Sequence, residues 1–132
     1  MDSRSSPSIE LLDVLPSNVR AEVLKNARRR TFAPGDVLVR EGDSALYLFL
    51  IASGHARVER AGAGYVGQMG PGDFFGELAL IEEHDRTATV TAEDELTCIL
   101  IPAWEFKALL KENPAMAIPM LNKVIARLHR QH

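Results

Sequence analysis

Apolar positions along the chain change their period twice. From Ile9 to Arg30 they cluster as Ile9, Leu11, Leu12, Val14 and Leu15, then as Val19, Val23, Leu24 and Ala27. Pro16 and Ser17 divide the stretch, and a proline there predicts the start of a second short helix. From Thr31 to Pro102 the runs become short and β-rich: 37–39, 46–51, 55–59, 87–91 and 96–101. Glycine-bearing breaks separate them at Pro34-Gly35-Asp36, Gly42-Asp43, Ser53-Gly54, Gly62-Ala63-Gly64 and Gly70-Pro71-Gly72-Asp73. Strands at this spacing predict an antiparallel sandwich or barrel, with Gly62-Ala63-Gly64 as a hairpin tip. After Pro102 the helical period returns. Ala103 to Lys111 predicts one helix, Asn113-Pro114 a break, and Ala117, Leu121, Val124 and Leu128, with Ile118 and Ile125 alongside, one apolar stripe on a last helix. Pro119 predicts a distorted first turn, or a helix that begins there.

The 132 residues predict a single domain, with a helical segment over about 1–30, a β region over 31–102 and helices over 103–132. At 46% hydrophobic and 25% charged the chain has ordinary globular composition. The formal net charge of −3 argues against non-specific nucleic-acid binding, which needs a basic face. Charge is unevenly placed, with +2 over residues 1–32, −8 over 33–102 and +3 over 103–132. An anion bound in the middle segment would therefore need a specific, shielded arginine. The lone Cys98 excludes an internal disulfide and fits a reducing, cytoplasmic setting. Met1 to Leu15 has no signal-peptide core, and no apolar run is long enough for a membrane span.

The chemistry concentrates in 72–90. Gly76 precedes Glu77 to Ile81, a predicted short helix whose first N–H groups suit a phosphate oxygen. Arg86, nine residues after Glu77, can grip the same anion in a bidentate way if the loop folds back, and Thr87 adds a hydroxyl. A carboxylate beside a phosphate site makes sense if it accepts a ligand hydroxyl such as a ribose 2′-OH. The plainer reading pairs Arg86 with Glu77, Glu82, Glu83 or Asp85 on the surface, and places Phe74, Phe75 and Leu78 in the core. His55, His84, His129 and His132 form no closely spaced pair with a carboxylate, so no metal is expected. No nucleophile has an evident base, so no enzyme is expected. Trp104 reads as a packing anchor.

Phe75-Gly76-Glu77-Leu78-Ala79-Leu80 with Arg86-Thr87-Ala88-Thr89-Val90 resembles the phosphate-binding cassette of the cyclic nucleotide-binding domains. This is the family of the catabolite activator protein and of kinase regulatory subunits. Phe32 to Asp36, Arg40 to Asp43, Leu46 to Ile51 and Gly70 to Phe74 extend the likeness over roughly residues 10–130. The resemblance implies an antiparallel, jelly-roll-like β-roll with N-terminal helices, a cassette over 74–90 and C-terminal hinge and lid helices. It also implies Glu77 on the ribose, Arg86 on the cyclic phosphate, and the amides around Gly76, Leu78 and Ala79 completing the phosphate site. Thr87, beside the arginine, leaves cAMP and cGMP undecided. Val58, Val66 and Met69 match base-pocket positions, Arg127 is the candidate lid contact, and Leu78 and Phe106 match the hinge. The implied function is a cyclic nucleotide sensor without cofactor, whose C-terminal helices move on binding. No nucleic acid or membrane is expected as a partner. An interaction module of the same fold is the alternative, binding an effector or a second copy through the C-terminal helix. A third reading is a fragment of a larger regulator, such as a transcription factor, since the chain ends near where relatives place the cap on the base.

Overall fold

The computed structural model of the chain describes residues 9–77, 80 and 85–130, with side chains for all of these except 10 and 127–130. Among the described residues two helices, α1 (Glu10–Asp13) and α2 (Ser17–Asn26), lead into eight strands. These are β1 (Arg28–Phe32), β2 (Val37–Val39), β3 (Tyr47–Ser53), β4 (Ala56–Arg60), β5 (Gly64–Met69), β6 (Phe74–Phe75), β7 (Thr89–Ala92) and β8 (Leu96–Pro102). Helix α3 (Ala103–Glu112), a 3₁₀ turn (Pro114–Met116) and α4 (Ala117–Arg130) follow. The strands form two four-stranded sheets, ordered β1-β8-β3-β6 and β2-β7-β4-β5. Every pairing is antiparallel.

The alternation within β3 and β8 explains the architecture. Phe49, Ile51, Cys98 and Leu100 turn into the roll, where Phe32, Phe75, Ala56, Val90 and Ala92 meet them. Leu48, Leu50, Ile99 and Ile101 turn the other way, onto Leu11, Leu12, Leu15, Phe106, Met116 and Met120 of the helices. Both faces of these strands are buried, which is why they read as unbroken apolar runs. Phe74 joins the helical core and Phe75 the roll core, so the two adjacent phenylalanines pin the sheet from both sides.

Three turns share one construction. Ala33 to Asp36, Arg40 to Asp43 and Gly70 to Asp73 each carry glycine third and aspartate fourth. In each, the Asp N–H donates to the first residue's carbonyl at 3.0 Å. The Asp Oδ2 accepts from that same residue's N–H, at 2.8, 3.3 and 2.8 Å. The glycines have φ of +91°, +94° and +93°, the left-handed conformation that a type II turn demands.

Three expectations need correction. The β region begins at Arg28, inside the stretch assigned to helix, because Arg28 to Phe32 pair with Leu100 to Leu96. Trp104 is 73% exposed on α3 and anchors nothing. On α4 the face turned toward the protein carries Met116 (from the preceding turn), Pro119 and Met120, while Ile118, Leu121 and Ile125 lie exposed. Pro119 leaves the helix intact, because its missing N–H falls in the first turn, where no intrahelical acceptor exists.

Candidate functional site

Arg86 is held before it is used. Its N–H donates to the Asp43 carbonyl and its carbonyl accepts from Gly42 N–H, both at 2.8 Å. The second Gly-Asp turn thus clamps the backbone of the arginine. The third turn does the same for the opposite wall. Gly72 N–H donates to the Ile51 carbonyl and Ile51 N–H to the Asp73 carbonyl, both at 2.9 Å, which fixes Phe74, Phe75 and Gly76 against β3.

Between these walls Arg86 is 6% exposed. Nη1 donates to the Gly76 carbonyl at 3.2 Å and Nη2 to the Tyr47 carbonyl at 2.5 Å. Its carbon lies 5.8 Å from the centre of the Phe49 ring, which stacks on Phe75 at 4.7 Å and 8°. Nε is buried with no hydrogen-bond partner among the described residues. Burial pushes the guanidinium's pKa down, and the nearby Glu77 charge opposes that shift. An arginine so buried, bonded among the described residues to two neutral carbonyls and with one N–H unmet, has capacity left for a further acceptor. Such a group suits an anion.

Gly76 makes the approach possible. Its φ is +94°, and a Cβ there would stand 2.3 Å from Arg86 Nη1. Glu77 follows, 2% exposed, in helical backbone with Leu80, whose N–H donates to the Gly76 carbonyl at 3.3 Å. No ion pair joins Glu77 to Arg86 among the described residues. The Glu77 carboxylate instead accepts from Lys123 Nζ of α4 at 3.1 Å. Of the other acidic neighbours named for Arg86, Glu82 and Glu83 lie outside the described residues.

The other sequence-derived positions divide. Gly76, Glu77 and Arg86 come together. Thr87 is exposed beside them. Val58 and Met69 pack on the roll core, from β4 and β5. Val66 is 45% exposed at a bulge, where β5 carries one residue more than β4. Phe106 is fully buried in the helical core. Leu78, Ala79 and the Arg127 side chain lie outside what the structure describes. Among the described residues, no group of three His, Cys, Asp or Glu side chains converges as metal ligands, and no helix is long and apolar enough to cross a membrane. Lys123 was missed. Its signal was present, since it stands three residues after Met120, on the inward face of α4.

Residues 29–113 match the cyclic nucleotide-binding domain family. The chain is 34% identical over 102 residues to a cAMP-dependent protein kinase regulatory subunit of Candida albicans, covering 77% of this chain and 22% of that one. It is 35% identical over 95 residues to a cGMP-dependent protein kinase of Toxoplasma gondii, covering 71% and 9%. Among solved structures, the Thermus thermophilus catabolite activator protein superposes with a TM-score of 0.77 at 26% identity, covering 92% of this chain and 59% of that one. The chain belongs to the cyclic nucleotide-binding domain family, and its antiparallel β-roll with flanking helices is that family's fold. It spans less than a third of the length of the curated relatives it matches.

Proposed function

We propose that this chain is a receptor domain for a 3′,5′-cyclic nucleotide, cAMP or cGMP, that binds its ligand without transforming it and works in the cytoplasm. The observation that carries this is Arg86: buried, bonded among the described residues to carbonyls with Nε unmet, and with a glycine opposite whose missing side chain leaves it room. The guanidinium takes the exocyclic phosphate oxygens, together with N–H groups of the chain around Gly76, Leu78 and Ala79. Glu77 accepts the ribose 2′-OH, with Thr87 at the rim. Val58, Val66 and Met69 from β4 and β5 face the base, and Arg127 reaches it from α4. Leu78 and Phe106 carry the movement to the last helices. The ligand shifts the helix positions only by as much as it binds one arrangement better than the other.

Arg86→Ala and Arg86→Lys test the phosphate role. Alanine is expected to weaken binding by at least a hundredfold. Lysine, which keeps the charge but loses the planar fork, is expected to fall between. Both should retain the wild-type circular dichroism spectrum. Wild-type affinity in Arg86→Ala would refute the assignment.

A second reading rests on α4, where Ile118, Leu121 and Ile125 expose one apolar line. It makes the domain an interaction module for an effector or a second copy. Sedimentation with and without nucleotide separates the two: association that ignores nucleotide favours the module, and nucleotide-dependent association joins the roles.

A further inference from the structure

Lys123 is where the last helix touches the candidate site. Its ammonium donates to Glu77 Oε1 at 3.1 Å and to the Phe74 carbonyl, and it lies 4.3 Å from the centre of the Phe74 ring. Glu77 is 2% exposed, and among the described residues Lys123 is the cation bonded to it. A carboxylate taken from water without a cation is costly, and removing one partner of such a pair leaves the other charge uncompensated. The carboxylate has a second oxygen, and two oxygens offer about four acceptor positions. Lys123 therefore does not block a ligand hydroxyl. It holds the group that would receive one.

We infer that Lys123 is a positioning residue for ribose recognition, orienting Glu77 from α4, so that ribose binding and docking of α4 favour each other. This rests on the reading of Glu77 as the ribose acceptor. Lys123 sits on the inward face with Met116, Pro119 and Met120. Displacing α4 withdraws the ammonium, and Glu77 Oε1 loses the bond it accepts from Lys123. By linkage, whatever the ribose gains from a docked helix, the helix gains from a bound ribose.

The test compares cAMP and cGMP with their 2′-deoxy analogues on wild type, Lys123→Met and Arg86→Ala, by calorimetry. Lys123→Met keeps the length of the stem over Phe74 and removes the ammonium. It is expected to bind the ribose nucleotides about tenfold more weakly, and the deoxy analogues within twofold of wild type. At saturating nucleotide, amide hydrogen exchange across residues 117–126 should slow in wild type and slow less in Lys123→Met. An undiminished preference for ribose over deoxyribose in Lys123→Met overturns the inference, and so does tighter ribose binding, which would make Lys123 a competitor. If Lys123→Met does not fold, Lys123→Gln, which keeps an N–H donor for the Phe74 carbonyl, takes the same measurements with the same signs. Wild-type binding lost in Arg86→Ala but unaffected in Lys123→Met rejects Lys123 alone. No binding of either cyclic nucleotide to wild type rejects the receptor reading, and the role of Lys123 with it.

Discussion

Gly76 and Gly42 share a backbone conformation and differ in their surroundings. Both have φ of +94°, which costs about 1–2 kcal/mol for a residue with a Cβ. At Gly42 nothing lies within 4 Å of the added carbon, whereas at Gly76 it meets Arg86 Nη1 at 2.3 Å. Gly42→Ala is therefore expected to lower stability by about 1–2 kcal/mol and to change nucleotide affinity less than about fivefold. Gly76→Ala should displace the guanidinium and abolish binding at comparable stability. Urea unfolding beside calorimetry checks the contrast, and equal binding losses would contradict it. Cys98 supplies a pH signature. Burial pushes its thiol from 9.0 up to about 12, so the folded state favours the neutral form. The associated stability is fully present below pH 9 and drains as pH rises toward 12, by at most about 1.4 kcal/mol per pH unit. Stability profiles of wild type and Cys98→Ala should diverge in shape above pH 9, and parallel profiles would show that the thiol is accessible.

At the scale of elements, the turns and the buried strands were the most legible parts of the sequence. Gly-Asp pairs at 35–36, 42–43 and 72–73 announce turns whatever follows them, and β3 and β8 are apolar on both faces. β1 was hidden because Arg28, Arg29 and Arg30 are exposed on a strand at the end of its sheet beside β8, so nothing in their polarity reports pairing. β5 was hidden because Gly64, Tyr65 and Val66 are exposed and no alternation survives its bulge. The cassette was legible as a motif, but the clamps on Arg86 were not, because they are main-chain bonds to residues more than forty positions away. The stripe on α4 was legible, with Leu121 exposed on it, but the inward face of Met116, Pro119 and Met120 was not, because it carries none of the larger aliphatic residues. Helix α3 depends on Phe106, fully buried between the sheet and the last helix. Phe106→Ala should cost about 3–5 kcal/mol in urea unfolding. A loss under about 1 kcal/mol would mean that α3 is not anchored through this ring.

At the scale of the molecule, one roll supports two cores. The inner core, between the sheets, backs the wall on which Arg86 lies, and the outer core carries the helices. Phe74, Phe75 and Gly76 sit at their junction, so a change at the phosphate site reaches the helical layer without crossing the interior. The acidic middle segment makes the buried arginine decisive, because few cations in residues 33–102 could replace it. Titrating cAMP and cGMP into the unaltered chain, with Arg86→Ala alongside, tests this account most directly. It predicts saturable binding of at least one nucleotide with one site per chain, lost in the variant, and the ratio of the two affinities reads out the base preference. Binding that persists in Arg86→Ala, or no binding to the unaltered chain, would contradict it.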